Sequence, residues 1–299
     1  MKTILIISPH LDDAVLSCGA TIAALAAQGC HIVTATVFTQ PGSNTPMINQ
    51  YIIRQEQDEQ ALHLLGATCI HLGYTDAPFR NSQWNSFSTL LFHHHTPPGQ
   101  LQLVQQIAAA IQELIQSLQP EEVWFPLGTG GHIDHQLVWH SSHLLSHFTQ
   151  QKVYYEECPY AMVPGWPAIR WHYTGATPLA SASSPPLHYA ALTDISLAFI
   201  DNYITNDEDK AASLQAWNNE WCTLPHLPET ITRWQYHNEQ FICRPFFAEH
   251  AYFQQLCKAI ACYTTEWPAL FGPLQENIAT TLSQNIHNHQ YCEKYWYKN

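Results

Sequence analysis

The chain has 299 residues, 11 of them Lys or Arg and 24 Asp or Glu, for a formal net charge of −13; charged residues are only 12% of the total, yet histidine occurs 19 times. A hydrophobic fraction of 46% excludes a disordered chain, which could not bury enough apolar surface to offset its ordering entropy. The acidic balance excludes a phosphate-backbone binder, and no run of about 18 apolar residues offers a bilayer span.

In chain order, Lys2 to Ser8 reads as a short buried strand. Its apolar run is broken by Ser8, Pro9, His10, Asp12 and Asp13, so it fails as a signal-peptide core and reads as mature protein. Ala14 to Gln28 has helical spacing closed by Gly29, His31 to Phe38 is a strand, Ile48 to Leu65 a helix ended by Gly66, and Thr68 to Leu72 a third strand. Leu101, Val104, Ile107, Ala108, Ile111, Leu114, Ile115 and Leu118 recur at helical spacing until Pro120. A fourth strand follows at Glu121 to Leu127, a helix at Ile133 to Phe148 and a fifth strand at Lys152 to Glu157. This alternation predicts an α/β fold, a Rossmann-like, mostly parallel sheet with helices on both faces.

Six prolines between Pro159 and Pro186 predict an irregular, stiff segment. Asp207 to Trp217 and Ala248 to Tyr263 read as helices, and a further helix is expected after Pro273. With no repeat and no low-complexity linker, residues 1–299 read as one α/β domain, in which 158–299 pack on a core formed by 1–157. The nine cysteines are odd in number and form no Cys-x-x-Cys pair. They read as free thiols of a reducing cytoplasm, the expected location.

Ligand sites of open α/β sheets lie at the carboxyl ends of the strands. Two such ends carry polar, metal-competent sequences: Ser8-Pro9-His10-Leu11-Asp12-Asp13 after the first strand, and Gly128-Thr129-Gly130-Gly131-His132-Ile133-Asp134-His135 after the fourth. Alone, an Asp-Asp pair at a helix start is an ordinary cap with a first-turn carboxylate, and a His-x-Asp-His an ordinary loop. Together at one sheet edge they suit a mononuclear metal site, which needs about three nitrogen or oxygen ligands and an open position.

Pro9-His10-Leu11-Asp12-Asp13-Ala14 resembles the His-Pro-Asp-Asp-Glu signature of the PIG-L/LmbE-like metal-dependent N-deacetylases, and His132-Ile133-Asp134-His135 resembles their His-x-Asp-His signature. Arg54-Gln55-Glu56-Gln57-Asp58-Glu59, followed by Ala61 and Leu65-Gly66, is similar to the family's Arg-x-Glu-Glu helix. The resemblance covers residues 1–157. It implies a divalent metal, zinc or ferrous iron, held by His10, Asp13 and His135, with Asp12 as general base. It also implies that His132 meets the oxyanion or protonates the leaving amine, that Asp134 tunes it, and that Arg54 and Asp76 contact substrate. Departures are Leu11 for the family proline, Ala14 for its glutamate, and Gly130 where some members carry a tyrosine.

Amide hydrolysis suits that set. Bound zinc supplies a nucleophile near neutral pH and polarises a carbonyl, an adjacent carboxylate takes the water proton, and an imidazole beside a carboxylate stays cationic more easily. The activity expected is removal of acetyl from an N-acetylated amino sugar. The partner is a small-molecule amino-sugar conjugate, not nucleic acid, and a homo-oligomer is compatible with the sequence. Alternatives are a metal-assisted hydrolase of another amide or a carbamoyl group, and a non-catalytic carbohydrate-binding relative. A nucleotide-binding protein is disfavoured, because no Gly-x-Gly-x-x-Gly or P-loop follows the first strand. His140, His143 and His147 read as a polar helical stripe and His93-His94-His95 as loop, rather than as a second metal site. Trp166, Trp171, Trp217, Trp221 and Trp234 read mostly as core. Before residue 152 the only cationic side chains are Lys2, Arg54 and Arg80, the last following Asp76 at the same sheet edge.

Overall fold

The structure is a computed structural model. It describes residues 1–43, 45–95, 99–145, 149–162, 165–174, 206–223, 241–266 and 290–298, together with residue 204 and two- to six-residue pieces at 177–178, 187–188, 230–231, 236–237, 277–282 and 286–287.

Seven strands form one mixed sheet: β1 (Thr3–Ser8), β2 (His31–Gln40), β3 (Ala67–Thr75), β4 (Glu122–Pro126), β5 (Gln151–Tyr155), β6 (Phe241–Ala248) and β7 (Gln290–Lys298). Their spatial order is β6-β7-β5-β4-β1-β2-β3, with the two-residue strand Ile286–His287 added to β7. Pairs among β1 to β5 are all parallel, with Thr3 opposite His31 and Leu5 opposite Val123, whereas β7 is antiparallel to both β5 and β6. The chain therefore winds outward from β1 in one direction, to β2 and β3, and then returns to β4 and β5 on the other side. The crevice between β1 and β4 is a topological switch point, where ligands of such sheets bind.

Five helices of nine residues or more flank the first half and its border: α1 (Asp13–Ala27), α2 (Ile48–Leu64), α3 (Leu101–Leu118), α4 (Ile133–Leu144) and α5 (Gly165–Tyr173); α6 (Asp207–Thr223) and α7 (His250–Ile260) come later. Both faces of β1 are buried, as its continuous apolar run requires. Ile4 and Ile6 join a core with Val15, Ala23, Leu62 and Leu256, while Leu5 and Ile7 join another with Val104, Ile107, Ile111 and Leu137. The period-two split of β1 thus divides the interior between helices on opposite faces. On α3 the buried residues Val104, Ile107, Ala108, Ile111 and Ile115 are the stripe its sequence spacing predicts.

Ties from the C-terminal part to the first half include a strand pair, a helix contact and a buried carboxylate. β7 pairs with β5, placing Tyr295 opposite Tyr155. Helix α7 packs on α1 where Gly19 leaves room: a Cβ there would stand 2.6 Å from Leu256 Cδ1 and 3.3 Å from Leu65 Cδ1. From β7 the buried Glu293 accepts hydrogen bonds from the backbone N–H groups of Ala20 and Thr21, each at 2.9 Å, and from the hydroxyls of Thr21 and Tyr295.

Three sequence expectations change. Residues 165–173 are helical, with Pro167 in the first turn, where its missing N–H has no intrahelical partner to lose. A short helix does follow Pro273, at Asn277–Leu282, but the last described stretch is the strand β7. Strand β6, unforeseen, carries Pro245 in mid-strand, which its edge position permits. The eight cysteines whose side chains are described are all free. Trp166, Trp171 and Trp217 are fully buried, whereas Trp234 and the side chain of Trp221 lie outside the described residues. Among the described residues no helix is long and apolar enough to cross a membrane.

Candidate metal centre and active site

After β1 the chain turns sharply, with Asp12 N–H donating to the His10 carbonyl at 3.0 Å. The start of α1 is capped from outside the Asp-Asp pair: Ser8 Oγ accepts from Ala14 N–H at 3.1 Å. Asp12, at the cap position, makes no side-chain capping hydrogen bond. Both carboxylates are thereby released from the ordinary duty of such residues. Asp13 Oδ2 accepts from the backbone N–H of His10 at 2.9 Å and lies 3.1 Å from His10 Nδ1.

After β4, a glycine-rich turn brings the second cluster to the same place. Gly128 and Gly130 have φ of +85° and +78°, conformations that side chains rarely adopt. A Cβ on Gly130 would stand 3.0 Å from the rings of Tyr160 and Trp166. The departure from tyrosine at this position therefore has a local cause, since Tyr160 fills the adjoining space. His132 caps α4 with its ring, Nδ1 accepting Asp134 N–H at 3.2 Å. A neutral His132 consequently carries its proton on Nε2 and is a donor there.

The two clusters meet. His135 Nε2 is 3.2 Å from Asp13 Oδ2, so one carboxylate oxygen stands within 3.2 Å of imidazoles from both strand ends. The other His135 nitrogen, Nδ1, is 3.1 Å from Glu157 Oε1, and Glu157 also accepts from the backbone N–H groups of Gly128 and Thr129 at 2.6 and 3.1 Å. The rings of His10 and His132 lie 4.9 Å apart, and those of His10 and His135 5.2 Å apart. Two sets of potential ligand atoms, each within 4.8 Å of one another, share His10: His10 with His132 and His135, and His10 with Asp76 and Asp134.

Asp134 reaches away from His132. Its carboxylate accepts from Arg80 at 2.5 Å and from Ala77 N–H at 3.0 Å, and lies 3.2 Å from His10 Nε2. Asp76 accepts from the Tyr51 hydroxyl at 2.5 Å and stands 3.6 Å from His10 Nε2. Arg54 is ion-paired with Glu266 at 2.9 Å and lies over the Tyr51 ring. Sequence reasoning did not single out Glu157, Tyr51, Tyr160 or Glu266. Each joins the site through space from a separate stretch, with no motif spacing to mark it.

Electrostatics favour a positive charge in the middle. Burial would lower His10, but Asp76, Asp13 and Asp134 hold its imidazole well above the usual range. His135, buried between Asp13 and Glu157, is likewise raised to about 9. Burial would raise Asp13, yet His135 and His10 hold it well below the usual carboxylate range. Burial, Asp13 and Glu266 push Asp12 up to about 8, against Arg54 and His10. His132 goes the other way: burial, His10 and His135 depress it, and the pull of Asp134 does not offset them.

The donor set fits a divalent cation. His135 Nε2 is buried with no hydrogen bond while Nδ1 is engaged by a carboxylate, the arrangement that orients a ligating histidine. Nitrogen and carboxylate donors at the switch point of an α/β sheet define a protein able to hold a metal ion at a ligand crevice. Over residues 5–141 the chain matches the model of the PIG-L family, described as GlcNAc-PI de-N-acetylase. It is 43% identical over 76 residues to YaiS, an uncharacterised deacetylase of Escherichia coli (strain K12), across 25% of this chain and 39% of that protein. It is 28% identical over 167 residues to 2'-N-acetylparomamine deacetylase of Streptomyces fradiae, across 52% of this chain and 57% of the relative. The chain thus spans less than two thirds of either relative. The fold is shared with the zinc-inhibited form of teicoplanin deacetylase Orf2, at a TM-score of 0.63 and 19% identity over 100% of this chain and 98% of that one. It is shared also with the A40926 pseudoaglycone deacetylase Dbv21, at 0.61 and 20% over 98% and 95%.

Proposed function

We propose that the protein is a metal-dependent N-deacetylase that hydrolyses the acetamide of an N-acetylated amino sugar or its conjugate, giving acetate and a free amine. The observation that carries this reading is the single Asp13 oxygen shared by His10 and His135, beside an Asp12 that caps nothing. His10, Asp13 and His135 would hold the metal, zinc or ferrous iron, which supplies Lewis acidity and a nucleophile near neutral pH. This trio is preferred to one containing His132, whose Nδ1 accepts a backbone N–H and so leaves the ring proton on Nε2, or Asp134, whose charge is met by Arg80.

Asp12 takes the proton of the attacking water, a role that contributes roughly 10²–10⁴-fold in rate. His132, which burial, His10 and His135 keep neutral against the pull of Asp134, presents its Nε2 proton to the developing oxyanion and then serves the leaving amine. Arg54 and Asp76 contact the sugar. Residues 1–299 form one α/β domain in this reading, supported by the pairing of β7 with β5.

The test pairs metal analysis with a free-amine assay on a panel of N-acetylated sugar conjugates. His10→Ala is expected to lose metal and activity together, whereas Asp12→Ala keeps metal and loses at least a hundredfold in turnover. Full turnover by Asp12→Ala would remove the base assignment. Release of ammonia and carbon dioxide in place of acetate would replace the reaction with carbamoyl hydrolysis.

A further inference from the structure

Away from the catalytic cluster, a cavity of about 300 Å³ lies against the last two turns of α4. Trp139, His140 and His143 line it from α4, Arg170 and Tyr173 from α5, and Lys298 from the end of β7. No carboxylate lines it among the described residues. Arg170 is 1% exposed. Its Nε donates to the Leu127 carbonyl at 2.6 Å, and its guanidinium lies 4.5 Å from the centre of the Trp139 ring. Its Nη2 is buried without a hydrogen-bond partner, as is His140 Nε2.

Such orphaned donors are costly unless something polar meets them. The carboxylate that acts on Arg170 is Glu157, but Glu157 is already bonded to Gly128, Thr129 and His135 and does not line the cavity. Burial draws Arg170 down only to about 10, so it stays charged at neutral pH. Burial and Arg170 lower His140 to about 4, and burial with Lys298, Lys152 and Arg170 lowers His143 to about 4, so both imidazoles are neutral there. The wall is therefore cationic through Arg170 and Lys298 and aromatic through Trp139 and Tyr173, and among the described residues it holds no countercharge.

We propose that this cavity is a binding site for a small organic oxyanion, a carboxylate or phosphate carried on a planar body. Arg170 Nη2 and Lys298 meet the charge, His140 adds a neutral hydrogen bond, and Trp139 and Tyr173 face the body. An anion inserted here completes the hydrogen bonding of a guanidinium that otherwise has an unused edge.

Calorimetric titration of the full chain with phenyl phosphate and with benzoate tests this and separates the two head groups. One equivalent of at least one probe is expected to bind, both in metal-loaded protein and after stripping with a chelator. Affinity should fall tenfold or more in Lys298→Met and in His140→Leu, with deacetylase activity unchanged in both variants. Failure of both probes to bind, or equal affinity in both variants, overturns the site. So does binding that disappears with the metal, which would place the anion at the catalytic centre. A second equivalent of zinc bound by wild type and lost in His140→Leu would make the cavity a metal site and overturn the proposal as well.

Discussion

Two carboxylates flank the His135 ring, Asp13 at Nε2 and Glu157 at Nδ1, and the second governs what the first can share. A proton held on Nδ1 by Glu157 leaves the Nε2 lone pair toward Asp13, the tautomer that a metal requires. Glu157 also gathers the Gly128 and Thr129 N–H groups, so it sets both the ring and the turn that delivers it. Glu157→Gln is therefore expected to weaken metal affinity roughly 10–100-fold, measured by competition with a chelator. Unchanged affinity would show that α4 alone orients His135. At this scale the sequence revealed the residues that stand in runs at strand ends: His10, Asp12, Asp13, His132, Asp134 and His135. Their partners were hidden because a hydrogen bond across the sheet edge leaves no local pattern. Arg80 is intermediate: its scarcity and its place after Asp76 marked it, but only the fold shows it bonded to Asp134.

Among the elements, α1 sets how closely the C-terminal part can approach. Every residue of α1 from Asp13 to Ala24 is buried, and α7 packs against the helix at Gly19. Gly19→Val places branched atoms where Leu256 already stands, and overpacking of this kind costs about 1–3 kcal/mol. A lower denaturation midpoint with an unchanged slope is the expected result; an unchanged midpoint would mean that Leu256 moves aside freely. The elements from β1 to β5 were legible because a doubly covered parallel sheet needs continuous apolar strands between amphipathic helices. β6 and β7 were not. Phe241–Ala248 contains Arg244 and Pro245, and Gln290–Lys298 contains Glu293 and Lys294, so neither resembles a buried strand until its partner is known. Within α5, six neighbouring prolines outweighed local periodicity in the sequence reading, although the only one inside the helix occupies its tolerant first turn.

For the whole molecule, Glu293 makes global stability depend on pH. Burial pushes its carboxyl from 4.5 up to about 7, although four donors favour its ionised form. Between those values the folded state holds a proton that the unfolded state has released. The contribution is therefore fully present below pH 4.5 and lost as pH rises through about 7, on the order of 3 kcal/mol. Denaturant titrations from pH 4.5 to 7.5 should show the stability advantage of wild type over Glu293→Gln shrinking as pH rises. A constant gap would mean that the four donors keep Glu293 ionised throughout.

The placement of β7 also imposes an order in time. It lies between β5 and β6, yet its residues follow both in the chain. On the ribosome, β1 to β5 can assemble and β5 then presents an open row of backbone N–H and C=O groups. No native strand is available to cover them until residues 290–298 have left the exit tunnel. An uncovered sheet edge invites pairing with other chains. The interval between synthesis of Tyr155 and of Lys298 is thus when a nascent chain is most open to mispairing, and when a chaperone would protect it most.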